Sequence, residues 1–186
     1  MKLLFFFLPI LFSFSPKQSI QDLAPEGRVR TEFTGKIENW EVTLGKENGT
    51  FEGYLMNDVN RWTFTIGNLQ GEVNSEYNDK LNSWEITVGE KKYHLKTWLT
   101  SSWNRWELSG DDLKEKVTIQ TLYNGSWDNW TMKRDSVEVD FATYYNNSYD
   151  DWNITGDLAK ATDGEKIAAV FMPIFVSRIY NRKLVH

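Results

Sequence analysis

Six tryptophans stand at near-constant spacing along this chain, and that spacing limits the possible folds more than any other feature. Trp40, Trp62, Trp84, Trp106, Trp130 and Trp152 are separated by 22, 22, 22, 24 and 22 residues. The surrounding text repeats too: ENWEVTLG, NRWTFTIG, NSWEITVG, NRWELSG, DNWTMK and DDWNITG. A self-similar period of this length means stacked copies of one supersecondary unit, none of which can bury its apolar face alone.

Counting each unit from its Trp as position zero identifies the element. Position −11 holds Val29, Phe51, Val73, Leu95, Ile119 and Phe141, and position −7 holds Phe33, Leu55, Tyr77, Leu99, Tyr123 and Tyr145. Position +2 holds Val42, Phe64, Ile86, Leu108, Met132 and Ile154. Glu, Lys, Thr, Asn and Arg fill most of the intervening positions, so the period is two and the element is a half-buried strand. Polar pairs at −5 and −4 (Asn57-Asp58, Asp79-Lys80, Ser101-Ser102, Gly125-Ser126, Asn147-Ser148) predict a two-residue turn in each unit. In that register each Trp faces position −9, where Thr31, Gly53, Ser75, Thr97, Thr121 and Thr143 are all small. A large ring opposite a small side chain is a good cross-strand pair. Gly45, Gly67 and Gly89 then turn the chain into the next hairpin. The six tryptophans are therefore read as core.

Unit length and hairpin form resemble MORN repeats. The Tyr-Glu-Gly and paired Gly-x-Gly signatures of that family are missing, FEGYL at 51–55 alone coming close. The resemblance implies no function.

Beyond Gly156 the alternation stops. Ile167 to Tyr180 is apolar nearly all round, and Thr162 with Glu165 has capping-box spacing, predicting a helix from about Asp163 with a kink at Pro173. A final pair of buried strands is the rival. The expected fold is all-β: an antiparallel meander of about six 22-residue hairpins and about twelve strands, a curled sheet or barrel. Residues 26–160 form it, and 161–186 complete the same domain by packing the apolar segment on the Trp face. Twelve strands enclose more space than their own side chains fill, so something must occupy the concavity.

Residues 1–19 read as a signal peptide, with Lys2 ahead of an apolar run from Leu3 to Phe14. Export to the periplasm or outside the cell is the corresponding expectation. Losing Lys2 and Lys17 would leave 19 basic against 26 acidic residues, a net charge of −7. Such a surface argues against nucleic acid as a partner. With no cysteine, the chain has neither disulfides nor thiolate chemistry.

Catalytic patterns are absent: there are two histidines, His94 and His186, and no HExxH, GxSxG or P-loop. Asp111-Asp112 and Asp150-Asp151 are read as ordinary turn acids, with a place in a metal or glycosidase site as the minor alternative, and 146–151 matches a calcium loop only loosely. No enzyme, metal or cofactor is expected. The candidate site is aromatic. With −8 and −3 on the outer face, Trp98, Trp103, Leu122, Trp127, Tyr144 and Tyr149 would form a strip across the last three units. Trp98, Trp103, Trp127, Tyr144 and Tyr149 are the expected contact residues for carbohydrate or protein. In the alternative reading the apolar C-terminal segment, Ile167 to Tyr180, covers that strip as a second small core. Two further readings are a barrel carrying a small apolar ligand and a small outer-membrane barrel, though membrane association beyond export fits the short strands poorly. Sequons at Asn48, Asn124, Asn129, Asn146 and Asn153 matter only in a eukaryotic host.

Overall fold

The computed structural model describes residues 25–33, 36–54, 59–77, 80–123, 125–145 and 148–182. The expected signal peptide at 1–19, Leu55 and the turn pair Asn57-Asp58 lie outside these, as does the start of the loose calcium-loop match at Asn146-Asn147. Twelve antiparallel strands follow in order: β1 (Gly27–Phe33), β2 (Lys36–Leu44), β3 (Glu47–Gly53), β4 (Arg61–Ile66), β5 (Leu69–Tyr77) and β6 (Lys80–Val88). Then come β7 (Lys91–Thr97), β8 (Arg105–Gly110), β9 (Val117–Thr121), β10 (Asn129–Arg134), β11 (Val137–Thr143) and β12 (Asp151–Gly156). Each pairs with its sequence neighbours, and β12 pairs with β1, so the sheet is a closed barrel. A 3-10 turn (Leu158–Lys160) leads to one helix, α1 (Asp163–Arg182).

The register explains the closure. Within each unit the Trp faces the small residue: Thr31↔Trp40, Gly53↔Trp62, Ser75↔Trp84, Thr97↔Trp106, Thr121↔Trp130 and Thr143↔Trp152. Between units the Trp faces position −11 of the next: Trp40↔Phe51, Trp62↔Val73, Trp84↔Leu95, Trp106↔Ile119 and Trp130↔Phe141. The closing junction, Trp152↔Val29, has the same offset. Six identical steps that return to the starting height amount to a pseudo-sixfold rotation, so equivalent positions share one level around the barrel. The two extra residues between Trp106 and Trp130 fall in the connection from β8 to β9. Leu108↔Val117 is the last pair there, and the ladder continues in step beyond it. Tight turns close the same end elsewhere, with Gly45, Gly67 and Gly89 at φ of 61°, 57° and 58°.

The interior is filled by α1. Phe171 lies 4.9 Å from the Trp84 ring of β6 and 6.1 Å from Phe51 of β3, and Phe175 lies 5.2 Å from Trp106 of β8. Trp152 of β12 donates to Ser177 Oγ at 3.0 Å, and Arg178 Nη1 donates to the Ile37 carbonyl of β2 at 3.3 Å. One helix touching strands from all sides is a plug through the barrel axis, which is why its sequence is apolar all round. The capping box closes as expected: Thr162 N–H donates to Glu165 Oε2 at 2.7 Å and Glu165 N–H to Thr162 Oγ1 at 3.3 Å. The helix runs through Pro173 as one element. It takes the place of the alternative pair of strands.

Candidate functional site

The two barrel ends differ. One is closed mostly by tight turns; the other carries the tips at −8 to −1, where the fold departs from simple alternation. In three units the tip is a turn from −7 to −4, with Ser102, Ser126 and Ser148 N–H donating to the Leu99, Tyr123 and Tyr145 carbonyls at 2.8, 3.1 and 2.8 Å. In β1–β2 and β5–β6 the ladder shifts between −9 and −7, giving Phe33↔Lys36 and Tyr77↔Lys80. The expected turn at −5 and −4 is therefore displaced toward the first strand, and Lys80 belongs to β6.

That displacement inverts two positions. Residues at −7 were expected on the Trp face, but Phe33, Tyr77, Leu99, Tyr123 and Tyr145 are 54–66% exposed. Residues at −3 were expected outside, but they turn inward as a lid over the core. Each −3 carbonyl accepts the indole N–H of its own Trp: Trp40 to Ile37, Trp62 to Val59, Trp84 to Leu81, Trp106 to Trp103, Trp130 to Trp127 and Trp152 to Tyr149, at 2.8–3.2 Å. The device satisfies six donors that would otherwise be buried without partners, in tryptophans no more than 2% exposed.

The expected outer strip therefore splits. Trp98 and Tyr144 are exposed at 49% and 44%. Trp103 is half-buried against Trp106 and Phe175, at 6.0 and 6.3 Å. Trp127 sets its edge against Trp130 at 6.1 Å, and Tyr149 is buried against Trp152. The partial cover over Trp103 comes from α1, as the architectural alternative anticipated. With Tyr54, the exposed −8 and −7 residues form an apolar rim round one barrel end. It includes every large exposed apolar side chain among the described residues. The signal that could have located it is the Ser-aromatic-Asp/Asn order of the last three units. Ser102 Oγ donates to Asn104 Oδ1 at 3.0 Å, and Ser126 and Ser148 donate likewise to Asp128 and Asp150, fixing the tips.

Cations stack on this rim. The Arg61, Arg105 and Arg28 guanidinium carbons sit 4.4, 4.6 and 4.9 Å from the ring centres of Tyr54, Trp98 and Tyr144. Arg28 is held by Asp151, whose carboxylate raises its pKa. Beside the rim, His94 Nδ1 lies 2.5 Å from Glu76 Oε1. Burial works to raise the Glu76 pKa, but Ser83 and His94 outweigh it and hold it low.

The other acids singled out in the sequence have structural work. Asp112 pairs with Lys91 at 2.9 Å, and Asp111 accepts the Lys92 N–H at 2.9 Å. Tyr93, buried next to them, has its phenol pushed up by burial and by Asp112. At the tight-turn end a cleft of about 600 Å³ is lined by Glu26, Leu44, Glu47, Ile66, Leu158 and Lys166. Among the described residues no group of three or more His, Asp or Glu side chains could hold a metal ion.

No protein-family model matches the chain, and neither a curated protein nor a solved structure is found to match it.

Proposed function

We propose that this chain is an exported, non-catalytic binding or scaffold barrel that docks a protein partner end-on through its aromatic rim. The observation that carries this reading is where the exposed apolar residues lie. The barrel wall is polar and the core is closed, yet eight large side chains stand 44–66% exposed at one end. Spread round all six units, these side chains at about half exposure present on the order of 800 Å² in total, and exposed apolar surface gathered at one end of a molecule marks an interaction site. Tyr, Trp and Arg are also the residues that dominate protein-binding hot spots.

Two of the competing readings lose support from the same geometry. The helix occupies the space an interior apolar ligand needs. The outer wall carries ion pairs such as Arg61–Glu72, Lys92–Glu85 and Lys116–Glu107, where a membrane-spanning barrel needs an apolar band. A carbohydrate partner has one feature in its favour, a shallow depression lined by Trp98, Ser102, Asn104 and Gln120. Against it, Arg105 already stacks on the Trp98 ring.

Because the chain has no cysteine, one introduced thiol is unique. A photo-cross-linker on Tyr123→Cys should form protein adducts in the native milieu that the same probe on Thr65→Cys, out on the wall, does not. Equal labelling from both positions, or none, overturns the reading.

A further inference from the structure

We infer that Arg105 is the docking point for a carboxylate of the partner protein, held at the rim beside the Trp98 ring. The inference rests on the rim being the docking surface and names what the partner must bring to it.

Arg105 is set apart by what it lacks. Arg28, Arg30, Arg61, Arg134 and Arg178 each lie within 3.3 Å of a carboxylate oxygen, of Asp151, Glu41, Glu72, Glu165 and Glu38 in turn. Among the described residues no acid pairs with Arg105, and its buried Nε–H has no acceptor. A buried donor left without an acceptor is a cost that an incoming carboxylate relieves.

The repeat supplies its own control. Arg61 stacks on Tyr54 at 4.4 Å and lies across from Asn74, just as Arg105 stacks on Trp98 at 4.6 Å and lies across from Gln120. Two residues before Asn74 is Glu72, which takes Arg61 at 3.1 Å; two residues before Gln120 is Thr118, which has no charge. The second unit thus shows the pair closed from within the chain. The fourth leaves an equivalent guanidinium stacked and open. Stacking on an indole orients a guanidinium in advance, so less freedom is lost when a carboxylate arrives.

The surroundings favour an anion with an apolar neighbour. Arg105 and Trp98 line a shallow depression of about 410 Å³ with Ser102, Asn104, Gln120 and Thr121. Ser102 donates to Asn104 Oδ1, which leaves the Asn104 amide nitrogen as a further donor. In the next two units the same bond ends on Asp128 and Asp150, acids that would repel such a ligand. Glu107, the next outward residue of β8, is paired with Lys116 at 2.9 Å and stands across from Lys96, so its charge is already met. One guanidinium among neutral amides matches the single charge of a carboxylate, and the half-exposed indole takes the carbon chain beside it.

Nuclear magnetic resonance of the purified protein, read at the Trp98 indole N–H and the Arg105 Nε–H, tests the inference. N-acetylphenylalanine is the probe of a protein carboxylate. Both resonances should shift and saturate, with a Kd on the order of 1–10 mM for so small a probe. N-acetylphenylalaninamide, which has no charge, should bind at least about tenfold more weakly, and Arg61 should not respond. Thr118→Glu gives Arg105 the partner that Arg61 already has. It should weaken the probe at least about tenfold and leave the urea unfolding midpoint no lower. Acid and amide binding alike, Arg61 responding as Arg105 does, or Thr118→Glu binding like the parent overturns the inference. Glucuronate binding more tightly than N-acetylphenylalanine would put an acidic sugar in the protein's place and overturn it as well. The cross-linking experiment separates this inference from the reading it rests on: Thr118→Glu should cut the protein adducts from Tyr123→Cys at least about fivefold. Undiminished adducts leave the rim as a docking surface and remove only the carboxylate. No adducts from the parent remove both, whatever the titration shows.

Discussion

The Trp152 indole N–H donates both to the Tyr149 carbonyl at 3.2 Å and to Ser177 Oγ at 3.0 Å. Here the device repeated in every unit also grips the plug. Ser177 Oγ in turn donates to the Pro173 carbonyl at 2.6 Å, so the hydroxyl serves helix and wall together. Ser177→Ala should cost about 0.5–1.5 kcal/mol, because Trp152 keeps its backbone acceptor. Trp152→Phe should cost more, since it leaves the Tyr149 carbonyl and the Ser177 hydroxyl without their donor and opens space in the core. Urea unfolding of both variants measures the difference, and equal midpoints would show that the indole bond carries no stability.

Phe171 packs the plug among three rings, with Phe51, Trp84 and Phe175 all within 6.1 Å. Truncation leaves a cavity that an enclosing barrel can collapse little around. Phe171→Ala should lower unfolding stability by about 3–5 kcal/mol. Tyr123→Ala, on the exposed rim, should stay within about 0.5 kcal/mol of the parent. Guanidinium titration of the pair compares the plug with the rim on one scale.

These residues show how far the sequence could be read. Trp spacing, the small −9 partners, the apolar −11 row and the Thr162–Glu165 cap all concern regular ladder or helix, where side-chain direction follows from counting. The tips break the count. A shift between Thr31 and Phe33, repeated between Ser75 and Tyr77, turns Phe33 and Tyr77 outward, and a turn starting at Leu99, Tyr123 and Tyr145 does the same in the last three units. Counting parity through the turn instead put Phe33 inside and Trp103 outside. Of the five expected contact residues, Trp98 and Tyr144, still adjacent to the ladder at −8, kept the expected face. A β-bulge moves each later side chain to the opposite face, and no composition marks where it falls.

Glu165 is fully buried and accepts two bonds from Arg134, Nε to Oε1 at 2.9 Å and Nη2 to Oε2 at 3.2 Å. Burial works to raise its pKa, but Arg134 and Thr162 outweigh it, so the folded value lies below the ordinary one. A carboxylate depressed on folding contributes stability that is fully present above its unfolded pKa of about 4.3 and is lost as pH falls through the folded value. Arg134→Met removes the compensation and leaves burial alone, which favours the protonated acid. The variant should lose about 3 kcal/mol at pH 7, and the deficit should shrink as Glu165 protonates toward pH 4. Urea midpoints at the two pH values check the sign; a deficit that grows on acidification would contradict it.

Two glycines in the wall separate a tolerated vacancy from a required one. At Gly53, a Cβ would lie 3.6 Å from the Trp62 ring, in ordinary contact, and the backbone there needs no left-handed conformation. At Gly71 a Cβ would run into the Thr87 carbonyl oxygen of the neighbouring strand, and backbone cannot move aside as a side chain can. Gly53→Ala should therefore be neutral or stabilising by about 0.4–1 kcal/mol through the unfolded chain. Gly71→Ala should destabilise by about 1–3 kcal/mol as β5 and β6 are forced apart. Thermal unfolding of the two variants decides it. Equal losses would mean that Trp62 needs the whole space opposite it, and equal tolerance would mean that β5 can shift away from β6 at little cost.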